Sequence, residues 1–185
     1  MELYFATSNE NKLREAAKIL GLPVKQLKVE MMEPQLWDIV DVSMEKARQA
    51  YAAAGKPLFV EDTAIYIDGL NGFPGPLISW VRQTIGNPGL LKLLKGVDDR
   101  RAKTVAVVSF ADGNEIKQFG GSEEGLIADE ERGKGWGFDP IFIPSGFDKT
   151  YGELGEEKKN EISHRAKAFK QFKEWLSVTR AKPDT

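Results

Sequence analysis

The chain has 185 residues, 26 Lys and Arg against 28 Asp and Glu, and a formal net charge of −2. That length suits one domain with a full core, and the slightly acidic balance lacks the basic footprint of a nucleic-acid binder. There is no cysteine, which excludes disulfides, thiolate metal sites and a thiol nucleophile and suits a cytoplasmic protein. No apolar run reaches membrane-spanning length, and the first residues show no signal-peptide pattern, so no membrane association is expected.

In chain order, the apolar run 3–6 reads as a buried strand, followed by Thr7-Ser8-Asn9-Glu10-Asn11-Lys12. Leu13, Ala16, Ala17 and Leu20 then fall on one face of a helix over 11–20, with Asn9 as its N-cap. Backbone N–H groups at that helix start, with Lys12 in the first turn, suit an anion such as a phosphate. A plain capped helix with a solvated lysine satisfies the same pattern. The glycines of a Walker-type loop are missing.

Further strand-like runs lie at 27–29, 58–60, 64–67, 104–111, 116–119 and 140–143. Helical patterns lie at 43–54, 77–85, 90–94 and 163–176. Asp112-Gly113-Asn114 reads as a hairpin turn between two strands. The early elements alternate strand and helix while the middle looks antiparallel. The expected fold is therefore α/β with a mixed sheet, in a single domain over 1–185 whose polar tail frays from about residue 178.

Four stretches carry chemistry. Glu61-Asp62 follows an apolar run directly, where charge is costly unless paired or bound to a metal. Neighbouring strand residues point to opposite faces, so one carboxylate faces a ligand cleft and the other a structural partner. Two carboxylates turning outward at a strand end would also fit. Leu70-Asn71-Gly72-Phe73-Pro74-Gly75-Pro76 is a rigid turn-rich loop, either a connector or one wall of a cleft.

The glycine-rich stretch from Gly133 to Pro140 combines Trp136, Gly137, Phe138 and Asp139. Its rings suit stacking on a base, or else burial in the core, and its carboxylate suits accepting base N–H groups. Lys159-Asn160-Glu161-Ile162-Ser163-His164-Arg165 precedes an amphipathic helix. With Ser163 as N-cap, its first-turn side chains share one site, a second anion-receptive helix start. His164, the only histidine, does not make a zinc site by itself.

In combination and order these stretches resemble the inosine triphosphate pyrophosphatase family over nearly the whole chain, from Leu3 to about Leu176. The family's Thr/Ser-x-Asn-x-x-Lys loop is matched by Thr7, Asn9 and Lys12, its Glu-Asp-Thr segment by Glu61 to Thr63, and its Gly-Phe-Pro-Gly turn by Gly72 to Gly75. Its Gly-aromatic-Asp-Pro segment is matched by Gly137 to Pro140, and its Lys-Asn-x-x-Ser-His-Arg segment by Lys159, Asn160, Ser163, His164 and Arg165. The family's metal-binding glutamate finds its best match in Glu33, with a shifted frame in Met31-Met32-Glu33-Pro34-Gln35. Asp38 and Asp41 are alternatives.

The resemblance implies an elongated sheet in two lobes around a nucleotide cleft, a homodimer, and magnesium-dependent hydrolysis of the α–β phosphoanhydride of ITP, dITP and XTP. It implies that Thr7, Ser8, Asn9 and Lys12 hold phosphates, and that Glu33 and Asp62 hold Mg2+, with Asp62 alternatively the general base. Glu61 is held back as a structural residue or as a support behind the residues that touch the ligand. The base stacks on Phe138 with Trp136 and Gly137 nearby, Asp139 accepts N1–H, Arg165 or a neighbouring donor meets O6, and Lys159, Ser163 and His164 complete the site. Guanine shares O6 and N1–H with hypoxanthine and differs at its 2-amino group, for which the sequence names no reader. The rival readings are a pyrophosphatase for modified pyrimidine or methylated nucleotides, disfavoured by Ser163-His164-Arg165, and a non-catalytic nucleotide sensor, disfavoured by Glu61-Asp62.

Overall fold

The computed structural model describes residues 2–180. In chain order the elements are β1 (Leu3–Ala6), α1 (Glu10–Leu20), β2 (Val24–Leu27), α2 (Ile39–Ala54), β3 (Leu58–Ile67) and β4 (Pro74–Gly75). There follow α3 (Ile78–Thr84), α4 (Gly86–Leu93), β5 (Arg101–Ala111), β6 (Ile116–Ile127), β7 (Phe142–Pro144), α5 (Tyr151–Ile162) and α6 (His164–Arg180). One seven-stranded sheet runs β2-β1-β3-β5-β6-β7, with β4 beside β3. β1 is parallel to β2 and β3, and the remaining pairs are antiparallel. The mixed α/β sheet expected from the element order is present.

The parallel pairs force crossovers, and α1 and α2 supply them. Parallel strands send the loops after β1 and β2 out at the same end, where ligands collect in open α/β sheets. The loop Thr7–Asn9 and the segment carrying Glu33 therefore leave the sheet side by side.

The sheet also leaves a gap. Along one edge of β3, β1 is paired at Phe59 and β4 at Ile65 and Tyr66. The stretch between them, including Glu61 to Thr63, has no strand neighbour on that side, and a cleft opens there.

Two apolar clusters flank it. In one, Phe5 stacks on Phe59 with ring centroids 4.4 Å apart, and Phe169 of α6 meets Phe59 edge-on at 6.0 Å. In the other, Ile65 and Ile67 of β3 pack with Leu90, Leu94, Phe142 and Tyr151. Each large aromatic buried this way contributes on the order of 1.5–3 kcal/mol.

Several boundaries move from the sequence reading. Runs 58–60 and 64–67 are one strand, because Glu61 and Asp62 are paired rather than solvated. The strand expected at 27–29 is Val24–Leu27, an edge strand in register with β1 that tolerates Lys25 and Gln26. The strand expected at 140–143 is Phe142–Pro144. Helix α5 was not anticipated: Gly152 and Gly155 dilute its pattern, and Gly155 at φ 82 interrupts it. Its start was nevertheless marked by a capping box, in which the Glu153 N–H donates to Thr150 Oγ1 and the Thr150 N–H donates to Glu153 Oε2. Helix α6 continues through 178–180, where fraying was expected; residues 181–185 lie outside the described residues.

Among the described residues no helix is long and apolar enough to cross a membrane.

Candidate active site

A cavity of about 380 Å³ opens on the uncovered edge of β3, a size typical of small-molecule sites. Eleven sequence-selected residues line it: Thr7, Ser8, Asn9 and Lys12 at one end, Trp136, Gly137, Phe138, Asp139, Lys159, His164 and Arg165 at the other. Glu33 lines it as well. Asp62 and Ser163 do not.

The loop after β1 is tightly braced. Asn9 Oδ1 accepts the N–H groups of Asn11 and Lys12 at 3.0 and 3.2 Å, and Thr7 Oγ1 accepts that of Asn9 at 3.1 Å. The cap thus consumes two of the donors that the sequence reading left for an anion. Lys12 reaches across to β3, where its Nζ lies 2.8 Å from Glu61 Oε2 and donates to the Glu61 carbonyl at 2.8 Å.

Glu61 and Asp62 part company as strand geometry requires. Glu61 faces α1 and α6. Its carboxylate accepts from Thr63 Oγ1 at 2.7 Å and Arg165 Nε at 3.2 Å besides facing Lys12. Burial alone would raise its pKa, but Arg165 and Lys12 overcome that and hold it far below the ordinary carboxylate range.

Asp62 faces α2, where Lys46 Nζ donates to its Oδ1 at 2.6 Å and to Glu33 Oε2 at 3.0 Å. The other oxygen, Asp62 Oδ2, is buried and has no hydrogen-bond partner among the described residues. Neither alternative to Glu33 is built in: Asp38 caps α2 through the Val40 N–H, and Asp41 is exposed in its first turn.

The other end is a buried charge network. Glu15, 1% exposed, accepts from Lys159 Nζ at 2.8 Å, Arg165 Nη1 at 2.8 Å and Trp136 Nε1 at 2.7 Å. Asp139 Oδ2 accepts from Lys159 Nζ at 2.7 Å and the Trp136 N–H at 3.2 Å. Its Oδ1 makes no hydrogen bond among the described residues. Burial raises the pKa of Asp139, with Lys159 opposing. Together with Lys12 and Glu61, three carboxylates face three cations. Such networks survive burial only when nearly every donor and acceptor is used.

The aromatics divide the work. Phe138 is 7% exposed, with its ring edge-on to Phe142 at 6.2 Å and tilted against His164 at 5.7 Å. Trp136 is more open, with Lys159 Nζ 4.7 Å and Arg165 Cζ 4.8 Å from its ring centroid. It also walls a second cavity, shared with Glu15, Asp139 and Lys159. Gly137, at φ 71, supplies the left-handed turn between the two rings.

Ser163 is the expected N-cap: its Oγ accepts the Ala166 N–H at 3.1 Å. That places His164 and Arg165 in the first turn of α6, facing the cavity, while Ser163 itself stays behind them. Both ring nitrogens of His164 are buried and have no partner among the described residues. Burial, and then the neighbouring Arg165, push its pKa well below the ordinary imidazole value.

The Gly72–Gly75 turn connects β3 to α3 and borders the gap along β3. It pairs with β3 as β4 and sets α3 over the cleft, so that Ser79, Arg82 and Gln83 line the cavity instead.

A profile of the Ham1 family matches residues 3–175. The chain belongs to the Ham1 family. Its relatives include proteins called dITP/XTP pyrophosphatase from Korarchaeum cryptofilum and Pyrobaculum aerophilum. The first is 44% identical over 94% of this chain and 95% of its own length, the second 45% identical over 96% and 97%. Solved structures of Ham1 proteins share the fold: that from Coxiella burnetii superposes with a TM-score of 0.85 at 30% identity over 96% of this chain and 99% of its own. That from Staphylococcus aureus gives 0.84 at 28% over 97% and 100%.

Sequence reasoning missed Glu15, Lys46 and Arg82. Glu15 carried a signal, since it stands three residues after Lys12 on the same helix face. Lys46 and Arg82 are ordinary charges on amphipathic helices until the sheet brings α2 and α3 to the cleft.

Proposed function

We propose that this protein hydrolyses the α–β phosphoanhydride of non-standard purine nucleoside triphosphates, ITP, dITP and XTP, giving the monophosphate and pyrophosphate. The observation that carries this reading is one cavity lined by lysines, arginines and carboxylates together with two aromatic rings. It is supported by family membership and by relatives called dITP/XTP pyrophosphatases.

Mg2+ fits the carboxylate end. Glu33 lines the cavity and shares Lys46 with Asp62, which stands just behind the lining, and among the described residues Asp62 Oδ2 has no hydrogen-bond partner and keeps a lone pair free. Among the described residues no group of three His, Cys, Asp or Glu side chains is placed to hold a metal ion, but magnesium needs only one or two protein carboxylates besides phosphate and water. When bound, the ion neutralises charge on the phosphates and the leaving pyrophosphate.

Lys12, Thr7, Ser8 and Asn9 hold the phosphate chain, and Lys46 adds a cation from the opposite side. Asp62 either ligates the metal or takes a proton from the attacking water. The water oxygen bonds to the α-phosphorus while the bridging bond breaks and pyrophosphate leaves. At the other end the base lies against Trp136, the more open ring, with Phe138 closing the cavity behind it. Asp139 Oδ1 accepts N1–H. Adenine, with a bare N1 and an amino group, leaves buried groups unpaired at a cost of about 1–3 kcal/mol each.

The protein is read as one cytoplasmic nucleotide-hydrolysing domain, working as a homodimer on a small-molecule substrate without nucleic acid or membrane. The reading is tested by a nucleotide panel with magnesium, scored for pyrophosphate against orthophosphate. Pyrophosphate from ITP, dITP and XTP, with little from ATP, is expected; orthophosphate would overturn it.

A further inference from the structure

The cavity holds one cation with no carboxylate of its own. Lys12 faces Glu61, Lys46 faces Glu33 and Asp62, Lys159 faces Glu15 and Asp139, and Arg165 faces Glu15 and Glu61. Among the described residues the guanidinium of Arg82, which also lines the cavity, makes neither a hydrogen bond nor an ion pair. Its five N–H groups are donors only and permanently charged.

Its position says which end of a nucleotide it meets. Arg82 Cζ lies 5.9 Å from the Trp136 ring centroid, and a Cβ built on Gly137 would stand 3.8 Å from it. Partial burial lowers its pKa, with Asp139 opposing and Arg165 adding to the shift.

We infer that Arg82 reads the C2 side of the purine and favours xanthine over hypoxanthine and hypoxanthine over guanine. This rests on the purine triphosphate reading above. With N1–H on Asp139, the purine ring places C6 on one side of that contact and C2 on the other. Lys159 of α5 pairs with Asp139, and Arg165 of α6 is joined to Lys159 through Glu15. Arg82 approaches from α3, across Trp136 and Gly137. Xanthine offers an acceptor oxygen at C2, and its ring gives up the N3 proton near neutral pH and shares the negative charge with that oxygen. Hypoxanthine offers only C–H. Guanine offers an amino group, so donor meets donor at the half-open mouth of the cavity, where Arg82 is exposed. The guanidinium thus supplies the missing discrimination against guanine.

The test is Arg82→Met, which keeps the stem and removes the donors, and Arg82→Glu, which replaces donors by acceptors. Each is assayed with XTP, ITP and GTP for kcat/KM and titrated calorimetrically with XMP, IMP and GMP. Relative to wild type, Arg82→Met should lower the XTP-to-ITP ratio at least tenfold and raise the GTP-to-ITP ratio. Arg82→Glu should raise the GTP-to-ITP ratio further, and the monophosphate affinities should follow the same order. An equal loss on all three nucleotides, with weaker inhibition by inorganic tripolyphosphate, would make Arg82 a phosphate contact and overturn the inference. Unchanged ratios would overturn it too. A wild-type protein that releases no pyrophosphate from any of the three would instead remove the reading beneath it.

Discussion

Lys46 Nζ lies 2.6 Å from Asp62 Oδ1, and the other oxygen of that carboxylate is buried without a partner among the described residues. One half of Asp62 is thus fixed by the protein, and in the proposed mechanism the other half meets metal or water. Asp62→Asn keeps the shape and removes the charge. Turnover should fall at least about a hundredfold, whether the group is a ligand or a base. Near-normal kcat at saturating magnesium would rule out both roles.

Removing magnesium with a chelator should abolish pyrophosphate release, and adding it back should restore it. Glu33→Gln should raise the magnesium concentration needed for half-maximal activity. If Asp38→Asn or Asp41→Asn does so instead, the metal lies on the other side of the α2 start.

Lys12, the proposed phosphate ligand, is also the partner of a buried carboxylate. Lys12→Ala should lower kcat/KM at least about tenfold, since a charge-assisted hydrogen bond is worth about 1.5–3 kcal/mol. It should also lower unfolding stability, because Glu61 keeps only Arg165 and Thr63. Urea titration beside kinetics separates the two effects. Wild-type kinetics in a destabilised protein would leave Lys12 a purely structural residue.

The fold's parallel half was legible because strand-loop-helix periodicity is a local property. Asn9 and Ser163 were placed as caps for the same reason, each a short polar side chain just before an apolar stripe. The network of Glu15, Lys159 and Arg165 was not legible in full, since contacts 144 and 150 residues apart are made by tertiary packing. The cleft itself comes from a missing strand neighbour along β3, between Phe59 and Ile65, and no window of sequence contains that absence.

His164 should make stability depend on pH in a window of its own. The unfolded imidazole takes up a proton near 6.5, whereas burial delays protonation in the folded state to lower pH. Stability is therefore fully present above about 6.5 and falls as pH drops below it, by at most about 1.4 kcal/mol per pH unit. Glu15 and Glu61, whose pKa values are lowered, add their own loss only below the ordinary carboxylate range. Denaturant midpoints at pH 7.5 and 5.5 should differ in the wild type and converge in His164→Asn. Parallel pH slopes in both proteins would contradict the assignment.

Base selection should split between two neighbours. Asp139→Asn gives an amide that donates as well as accepts, so the ITP-to-ATP ratio of kcat/KM should fall, mainly through loss on ITP. Trp136→Ala should weaken all purines together, by about 1–3 kcal/mol of stacking, with little change in that ratio. A ratio that moves only in Trp136→Ala would reverse the two roles.

The most direct measurement is hydrolysis of ITP with magnesium in water enriched in oxygen-18, followed by mass spectrometry of the products. Attack at the α-phosphorus predicts one labelled oxygen in IMP and unlabelled pyrophosphate. Label in pyrophosphate, or orthophosphate with IDP, would contradict the account.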